Sequence, residues 1–371
     1  MVYRKNRRGL QQCCWATCCY TLQIVKKCGG VILSSSNFIG VSLGTCNTYI
    51  YKRGRGIVLG EPSAVACDAY DESKIIAMGY RAKKMRGRTP ETINVIFPIN
   101  KGVIADFQKT VLMLKSYIER VKRNRWGLEI FIAVPSSATA VERRAASDAG
   151  IAAGATAVTL IEAPIAAALG CDLDIFDEKG QMIVDIGAGN TGISVLSLGG
   201  VAYSIKSDMC SSTFDNDIIN YLRKNNRMLI GAETAEEIKI KLGSVLPGNT
   251  IEFMTVSGRD IVRGLPVETV VSSEDVREAM QASINGIIDA ILYALEHIAP
   301  ELSADIIKNK IHLVGGGALL HGWEELILKN TGIPAVVAPN PLECTAIGAG
   351  KANGLMRRIK SKNNPDPSAS K

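Results

Sequence analysis

Histidine is scarce in this chain: His297, His312 and His321 are the only three in 371 residues. They are too dispersed to suggest a shared site, and none is given a role. Cys13-Cys14 and Cys18-Cys19 form a Cys-Cys-x-x-x-Cys-Cys run without the paired His or Cys partners of a zinc site. Five of the ten cysteines (Cys13, Cys14, Cys18, Cys19, Cys28) crowd the N-terminal stretch and the rest are single, which is not the framework of a secreted disulfide domain. The apolar run Cys13–Val25 falls short of the roughly 20 residues that span a bilayer. A basic start before that run has the outline of a signal peptide but no small-residue cleavage site. A P-loop is also missing, because Gly350-Lys351 has neither the upstream Gly spacing nor the following Ser or Thr.

What is present suits a folded α/β protein. Hydrophobic residues make up 47% of the chain, enough to build a sizeable core in two domains. The formal charge of +7 gathers at the ends, with Arg4, Lys5, Arg7, Arg8, Lys26 and Lys27 first and Arg357, Arg358, Lys360, Lys362 and Lys371 last. Such ends are expected to be solvated, with attraction to anionic lipid or nucleic acid as the alternative. No nucleic-acid partner is expected. The N-terminal thiols read as an untied tail, with lipidation or interfacial binding as the alternative.

One pattern occurs twice. Val41-Ser42-Leu43-Gly44-Thr45-Cys46-Asn47-Thr48 and Val184-Asp185-Ile186-Gly187-Ala188-Gly189-Asn190-Thr191 both read Val-x-aliphatic-Gly-x-x-Asn-Thr, 143 residues apart. Each copy predicts an apolar strand, a Gly turn and a second strand. Glycine lets backbone N–H groups approach an anion, and Thr and Asn add donors. Two such hairpins in two similar lobes would grip a triphosphate from both sides. The copies differ at Asp185, where the first has Ser42.

Between the repeats the spacing predicts strand, turn and strand over Ile57–Ala66, a loop over 79–92 and a helix over Ile104–Arg123. A buried strand is predicted at Glu129–Val134, a helix at Thr139–Ala153, a strand at Thr156–Ile161 and a helix from Pro164. Further on come helices at Ser212–Lys224 and Thr234–Leu242, and strands at Thr250–Val256 and Leu265–Val271. A long helix follows over Ser273–Ala299, then a strand Lys310–Val314 running into Gly315-Gly316-Gly317.

Gly187-x-Gly189-x-x-Gly192 matches the dinucleotide fingerprint literally, but Ile193–Leu198 alternates like a strand rather than opening a helix, so a Rossmann reading is rejected. Glu236 and Lys239 share a helix face, as a surface ion pair or as a grip on a sugar or base edge. The Gly315–Gly317 turn suits a backbone lying flat against a base.

Ser42–Thr48, Asp185–Thr191 and Gly315–Leu319, in that order, resemble the phosphate and adenosine loops of the actin / sugar-kinase / heat-shock ATPase superfamily. Gly56–Ser63, Gly102–Phe107, Val141–Ala145, Thr234–Ile240 and Gly315–Leu320 narrow the resemblance to the MreB family of bacterial shape-determining actins, over roughly residues 38–356. The resemblance implies an α/β, actin-like, duplicated ribonuclease H-like fold of two lobes and four subdomains. Residues 1–36 would be an extension, 37–168 the first lobe with a small subdomain inserted near 57–88, and 169–338 the second with one near 205–269. Residues 339–360 would return to the first lobe and 361–371 form a disordered tail. It implies ATP and Mg²⁺ as cofactors and double protofilaments of this chain on the inner face of the cytoplasmic membrane. There it would direct cell shape with cell-wall elongation proteins of the MreC, MreD, RodZ and RodA type.

By match, Gly44, Thr45, Cys46, Asn47 and Thr48 hold one side of the phosphates, and Gly187, Ala188, Gly189, Asn190 and Thr191 the other. Glu236, Lys239, Gly315, Gly316, Gly317 and Ala318 hold the adenosine, and Asp185 orders Mg²⁺ through water. The chain departs from the family at Ser42 (Asp in the family), Ala163 (the water-positioning Glu), Asn190 (Thr) and Cys210-Ser211-Ser212 (Gly-Gly-Asp). Asn190 and Glu162 remain as catalytic candidates, and hydrolysis is expected to be slow, since aligning the water is most of phosphoryl-transfer catalysis. A scaffold that no longer binds nucleotide and a small-molecule kinase of the same superfamily stay open. Membrane contact is expected through the extension, with Trp126 and Leu128 as a second route or as core.

Overall fold

The computed structural model describes residues 37–121, 127–248 and 250–363. The N-terminal extension and Trp126 lie outside the described residues. β1 (Phe38–Leu43) and β2 (Asn47–Lys52) form the first hairpin, with Val41 opposite Ile50 and Leu43 opposite Thr48. β3 (Gly56–Pro62) extends it antiparallel. A small sheet follows from β4 (Val65–Asp68), β5 (Ile75–Met78) and, after the short helix α1 (Tyr80–Met85), β6 (Ile93–Ile96). The sequence reading placed a loop at 79–92. It missed α1 because six residues with a single buried side chain, Ala82, carry no helical period. The hairpin of β7 (Ile99–Asn100) and β8 (Val103–Ile104) leads to α2 (Phe107–Val121), β9 (Glu129–Val134), α3 (Ala140–Ala152), β10 (Ala157–Glu162) and α4 (Ala163–Gly170). Thr139 opens α3 as a capping box with Glu142.

The second half starts again with a hairpin, β11 (Gln181–Ile186) and β12 (Thr191–Ser197), extended by β13 (Gly200–Ser207). Then come α5 (Ser211–Asn225), β14 (Met228–Leu229), α6 (Ala232–Leu242), β15 (Phe253–Asp260) and β16 (Pro266–Ser272). The long helix α7 (Ser273–His297) starts at the cap Ser272, whose hydroxyl accepts from the Asp275 N–H. The chain closes with α8 (Pro300–Asn309), β17 (Ile311–Val314), a 3₁₀ turn (Gly316–Leu319), α9 (Trp323–Thr331), β18 (Ala335–Val337) and α10 (Cys344–Asn363). α10 runs three residues into the stretch read from sequence as a tail from 361.

The two large sheets have one plan. Their orders, β3-β2-β1-β9-β10 and β13-β12-β11-β17-β18, each pair three antiparallel strands with two parallel ones. This is the duplicated, two-lobed architecture expected of the repeat, and the actin-like one that the resemblance implies. Each sheet has its own core, around Ile39, Ile50 and Ile130 in one and Met182, Val184 and Phe214 in the other. A third cluster joins them, with Phe38 and Phe131 from the first sheet, Ile183 and Val314 from the second, and Ala166 and Ala349 from α4 and α10. α4 packs on β11, β12 and β13 of the second sheet and on β9 and β10 of the first, and α10 packs on β1, β2, β3 and β9, so their crossing lies at the lobe junction. It is made by glycine. A Cβ at Gly170 would run into the Cys344 carbonyl, and one at Gly348 into the Ala166 carbonyl. Leu128, one of the two suggested membrane contacts, is only 2% exposed and belongs to the first core.

Candidate functional site

Both hairpins close their turns with the same bond. The Gly44 N–H donates to the Asn47 carbonyl and the Gly187 N–H to the Asn190 carbonyl, each at 3.0 Å. The turns face each other across a cleft of 610 Å³, in the range of small-molecule sites. Gly44, Thr45, Cys46 and Asn47 line one wall, and Gly187, Ala188, Gly189 and Asn190 the other.

The two hairpin threonines depart from the expected binding role. Thr48 and Thr191 are both fully buried and are not among the cleft-lining residues. The Thr48 hydroxyl lies 2.8 Å from Ser63 Oγ, which donates to the Gly44 carbonyl at 2.7 Å. The Thr191 hydroxyl donates to the Met209 carbonyl at 2.7 Å. Side chains alternate along a strand, and these two point into the protein, where they hold the turns in shape. Ala318, 1% exposed, is likewise packed beneath the glycine turn rather than in the cleft wall.

Asp185 stands between the hairpins at the end of β11. No hydrogen bond or ion pair among the described residues reaches its carboxylate, and burial alone pushes its pKa from 3.8 up to about 6. Gly315, at φ 83°, gives it room, since a Cβ there would strike Asp185 Oδ1. The opposing position is Ser42, also in the cleft wall.

Glu236 and Lys239 both line the cleft, but they do not pair with each other. Lys239, 7% exposed, meets Asp215 Oδ1 at 2.7 Å and donates to the Ser211 carbonyl and hydroxyl at 3.1 and 2.9 Å. Burial raises the Asp215 carboxyl above its usual range, and Lys239 opposes that rise. Glu236 accepts from Lys83 Nζ at 2.6 Å, a bond from α6 across the mouth to α1. Two further bonds cross near the second hairpin. Asn190 Nδ2 donates to the Lys101 carbonyl at 2.8 Å, and Lys101 Nζ meets Asp208 Oδ1 at 2.6 Å.

Glu162 is outside the cleft wall. It precedes α4, accepts from Ser136 Oγ at 3.2 Å and lies 3.7 Å from Arg143. The neighbouring Ala163, the first residue of α4, is the one in the wall. Ser136, Ser137 and Asp215 also line the cleft and were not found from sequence; Ser211 and Ser212, singled out there as a departure from the family, line it too. They come from separate turns and helices, and only the fold brings them together.

A nucleotide with Mg²⁺ fits this donor set. The loops offer closely approachable backbone, Gly315, Gly316 and Gly317 form a side-chain-free wall, and Asp185 is a desolvated carboxylate without a counter-charge. No group of three or more His, Cys, Asp or Glu that could hold a metal exists among the described residues. A cation here would therefore rely on one carboxylate, water and phosphate oxygens, which is the habit of Mg²⁺.

The comparisons agree with this geometry. The MreB/Mbl protein family model matches residues 36–361. The cell shape-determining protein MreB of Escherichia coli (strain K12) is 45% identical over 323 residues, covering 85% of this chain and 93% of its own length. MreB5 of Spiroplasma citri, solved bound to ADP, superposes with a TM-score of 0.83 at 33% identity, over 89% of this chain and 98% of that one. The MamK double helical filament shares the fold, with a TM-score of 0.72 at 22% identity over 85% of this chain and 98% of that one. With the duplicated sheets, the paired hairpins and these matches in place, the chain belongs to the MreB/Mbl family of actin-like cell shape-determining proteins.

Proposed function

We propose that this protein binds Mg-ATP in the interlobe cleft, polymerises with copies of itself in that state, and directs cell shape from the cytoplasmic side of the membrane. The observation that carries the reading is Asp185, a half-buried acid without a partner, lining the cleft beside the two hairpin turns. Backbone N–H groups of the two turns bind the phosphates, and Lys239, held by Asp215 and Ser211, supplies a fixed positive charge at the adenosine end. The glycine turn, held by Trp323 Nε1 donating to the Gly317 carbonyl at 2.9 Å, lies against the base. Mg²⁺, when bound, neutralises phosphate charge beside Asp185. Ala163 has no group to align water, and Asn190 is already engaged with Lys101, so turnover is slow and the nucleotide acts as a long-lived clamp between the lobes.

Calorimetric titration with Mg-ATP, repeated with ATP and excess chelator, tests the reading. Saturable, Mg²⁺-dependent binding followed by sedimenting polymer is expected. No heat at millimolar Mg-ATP overturns it and leaves an actin-shaped scaffold.

No helix among the described residues is long and apolar enough to cross a membrane. Membrane attachment is therefore assigned to the basic N-terminal extension, with elongation proteins of the MreC, MreD and RodZ type as partners. Deleting residues 1–30 is expected to reduce co-flotation with anionic liposomes; unchanged flotation dismisses the extension.

A further inference from the structure

Cys171 and Cys344 are 173 positions apart, and the fold brings their Sγ atoms to 3.8 Å, with the Cys171 thiol donating. Cys171 is half-buried where α4 ends, and Cys344, 2% exposed, is the first residue of α10. α4 packs on strands of both sheets and α10 on those of the first, so the pair lies where the two lobes meet. The backbones are already tied there. Lys351 Nζ of α10 meets Asp172 Oδ1 at 2.5 Å, and Gly170 packs directly against Cys344. A disulfide needs about 2.05 Å, so the sulfurs must close by about 1.8 Å from 3.8 Å, within reach of side-chain rotation and a small helix shift. Cys344 sits at the N-terminus of a 20-residue helix, which favours its thiolate. The shared hydrogen bond works the same way, lowering the Cys344 pKa and raising that of Cys171.

We propose that Cys171 and Cys344 form a reversible disulfide that fastens the crossing of α4 and α10 at the lobe junction, with a low-molecular-weight disulfide as oxidant. Cys171, the accessible member, passes its proton to the Cys344 thiolate along their shared hydrogen bond, and the Cys171 thiolate so formed attacks one sulfur of the small disulfide, whose S–S bond breaks. A mixed disulfide forms, and the released thiol carries that proton away from Cys344. The Cys344 thiolate then attacks Cys171 Sγ, making the Cys171–Cys344 bond and expelling the second small thiol, which takes up the remaining proton. Two protein thiols are oxidised and one small disulfide is reduced to two thiols. The covalent link restrains the α4–α10 crossing, and through it the opening of the cleft. Its effect on nucleotide rests on the proposed function above; the link itself does not.

The full chain is incubated with oxidised glutathione, free thiols are alkylated, and digested peptides are mapped by mass spectrometry. The expected product joins the Cys171 and Cys344 peptides with the loss of two hydrogens and is reversed by dithiothreitol. Mapping separates it from any product of the N-terminal cysteines. Cys171→Ser and Cys344→Ala are each expected to abolish it. Glutathione retained on Cys171, or both thiols left free, overturns the proposal on the unmutated chain, so it does not depend on either variant folding. Release of a fluorescent ATP analogue is expected to slow about tenfold on oxidation, and not in Cys171→Ser. An unchanged release rate with the link present refutes its control of the cleft. If no analogue binds in either redox state while the link still maps, the nucleotide reading fails and the disulfide stands.

Discussion

Asp185→Asn is expected to stabilise the nucleotide-free protein. The folded state holds the Asp185 proton up to a pKa of about 6, whereas the ordinary value is 3.8. Between those values the folded protein binds a proton that the unfolded chain releases, so stability falls as pH rises through this window. Above pH 6 the full penalty remains. At about 1.36 kcal/mol per pKa unit it amounts to about 3 kcal/mol. An unfolding entropy of roughly 2.1 cal/mol/K per residue over 371 residues converts this to a gain of about 4 °C in Tm for Asn. Scanning calorimetry without nucleotide at pH 7 and pH 4 is the assay. The advantage of Asp185→Asn should be full at pH 7 and mostly gone at pH 4, where the wild-type carboxyl is protonated in the folded state and about two-fifths so in the unfolded one. Mg-ATP should reverse the order, because ligand linkage rewards only the protein that keeps the carboxylate. A variant less stable than wild type at pH 7, or a gain independent of pH, refutes the reasoning.

Lys239→Ala removes the partner of buried Asp215 and should cost about 3–5 kcal/mol by urea denaturation without any nucleotide, while Lys239→Met with Asp215→Leu should recover most of it. Equal destabilisation in the single and double variants counts against a structural ion pair. Glu236→Gln weakens the bond to Lys83 across the cleft mouth; both side chains are about a quarter exposed, so the loss is about 0.5–1 kcal/mol and nucleotide exchange should quicken about two- to fivefold. The same rate should rise with salt in wild type and respond less in the variant. Ala163→Glu places a carboxylate in the cleft wall and should raise phosphate release on the order of tenfold; a flat rate removes position 163 from the account of slow turnover.

The repeat at 41–48 and 184–191 was the most legible part of the chain, because a hairpin is written locally in Gly, Asn and alternating apolar residues. It foretold the two sheets and the facing turns. It misplaced Thr48 and Thr191, since a repeated residue can serve the turn's own shape as readily as a ligand. Glu236 and Lys239 were found, but not their partners Lys83 and Asp215, which arrive from other helices. The α1 segment hid in a basic stretch too short to show a period. Lys101, Asp208 and the Cys171–Cys344 pair are products of lobe apposition, about which neighbours in sequence say nothing.

The glycine crossing of α4 and α10 makes the molecule a pair of levers on a narrow fulcrum. With backbone lying on backbone at Gly170 and Gly348, no interlocked side chains there must change rotamer when the lobes turn. A single methyl added at Gly348 would act as a wedge. The displacement it causes would grow along the rigid sheets and be largest at the cleft mouth, where Lys83 reaches for Glu236. The residue with the least to contribute chemically therefore sets the gape of the jaws.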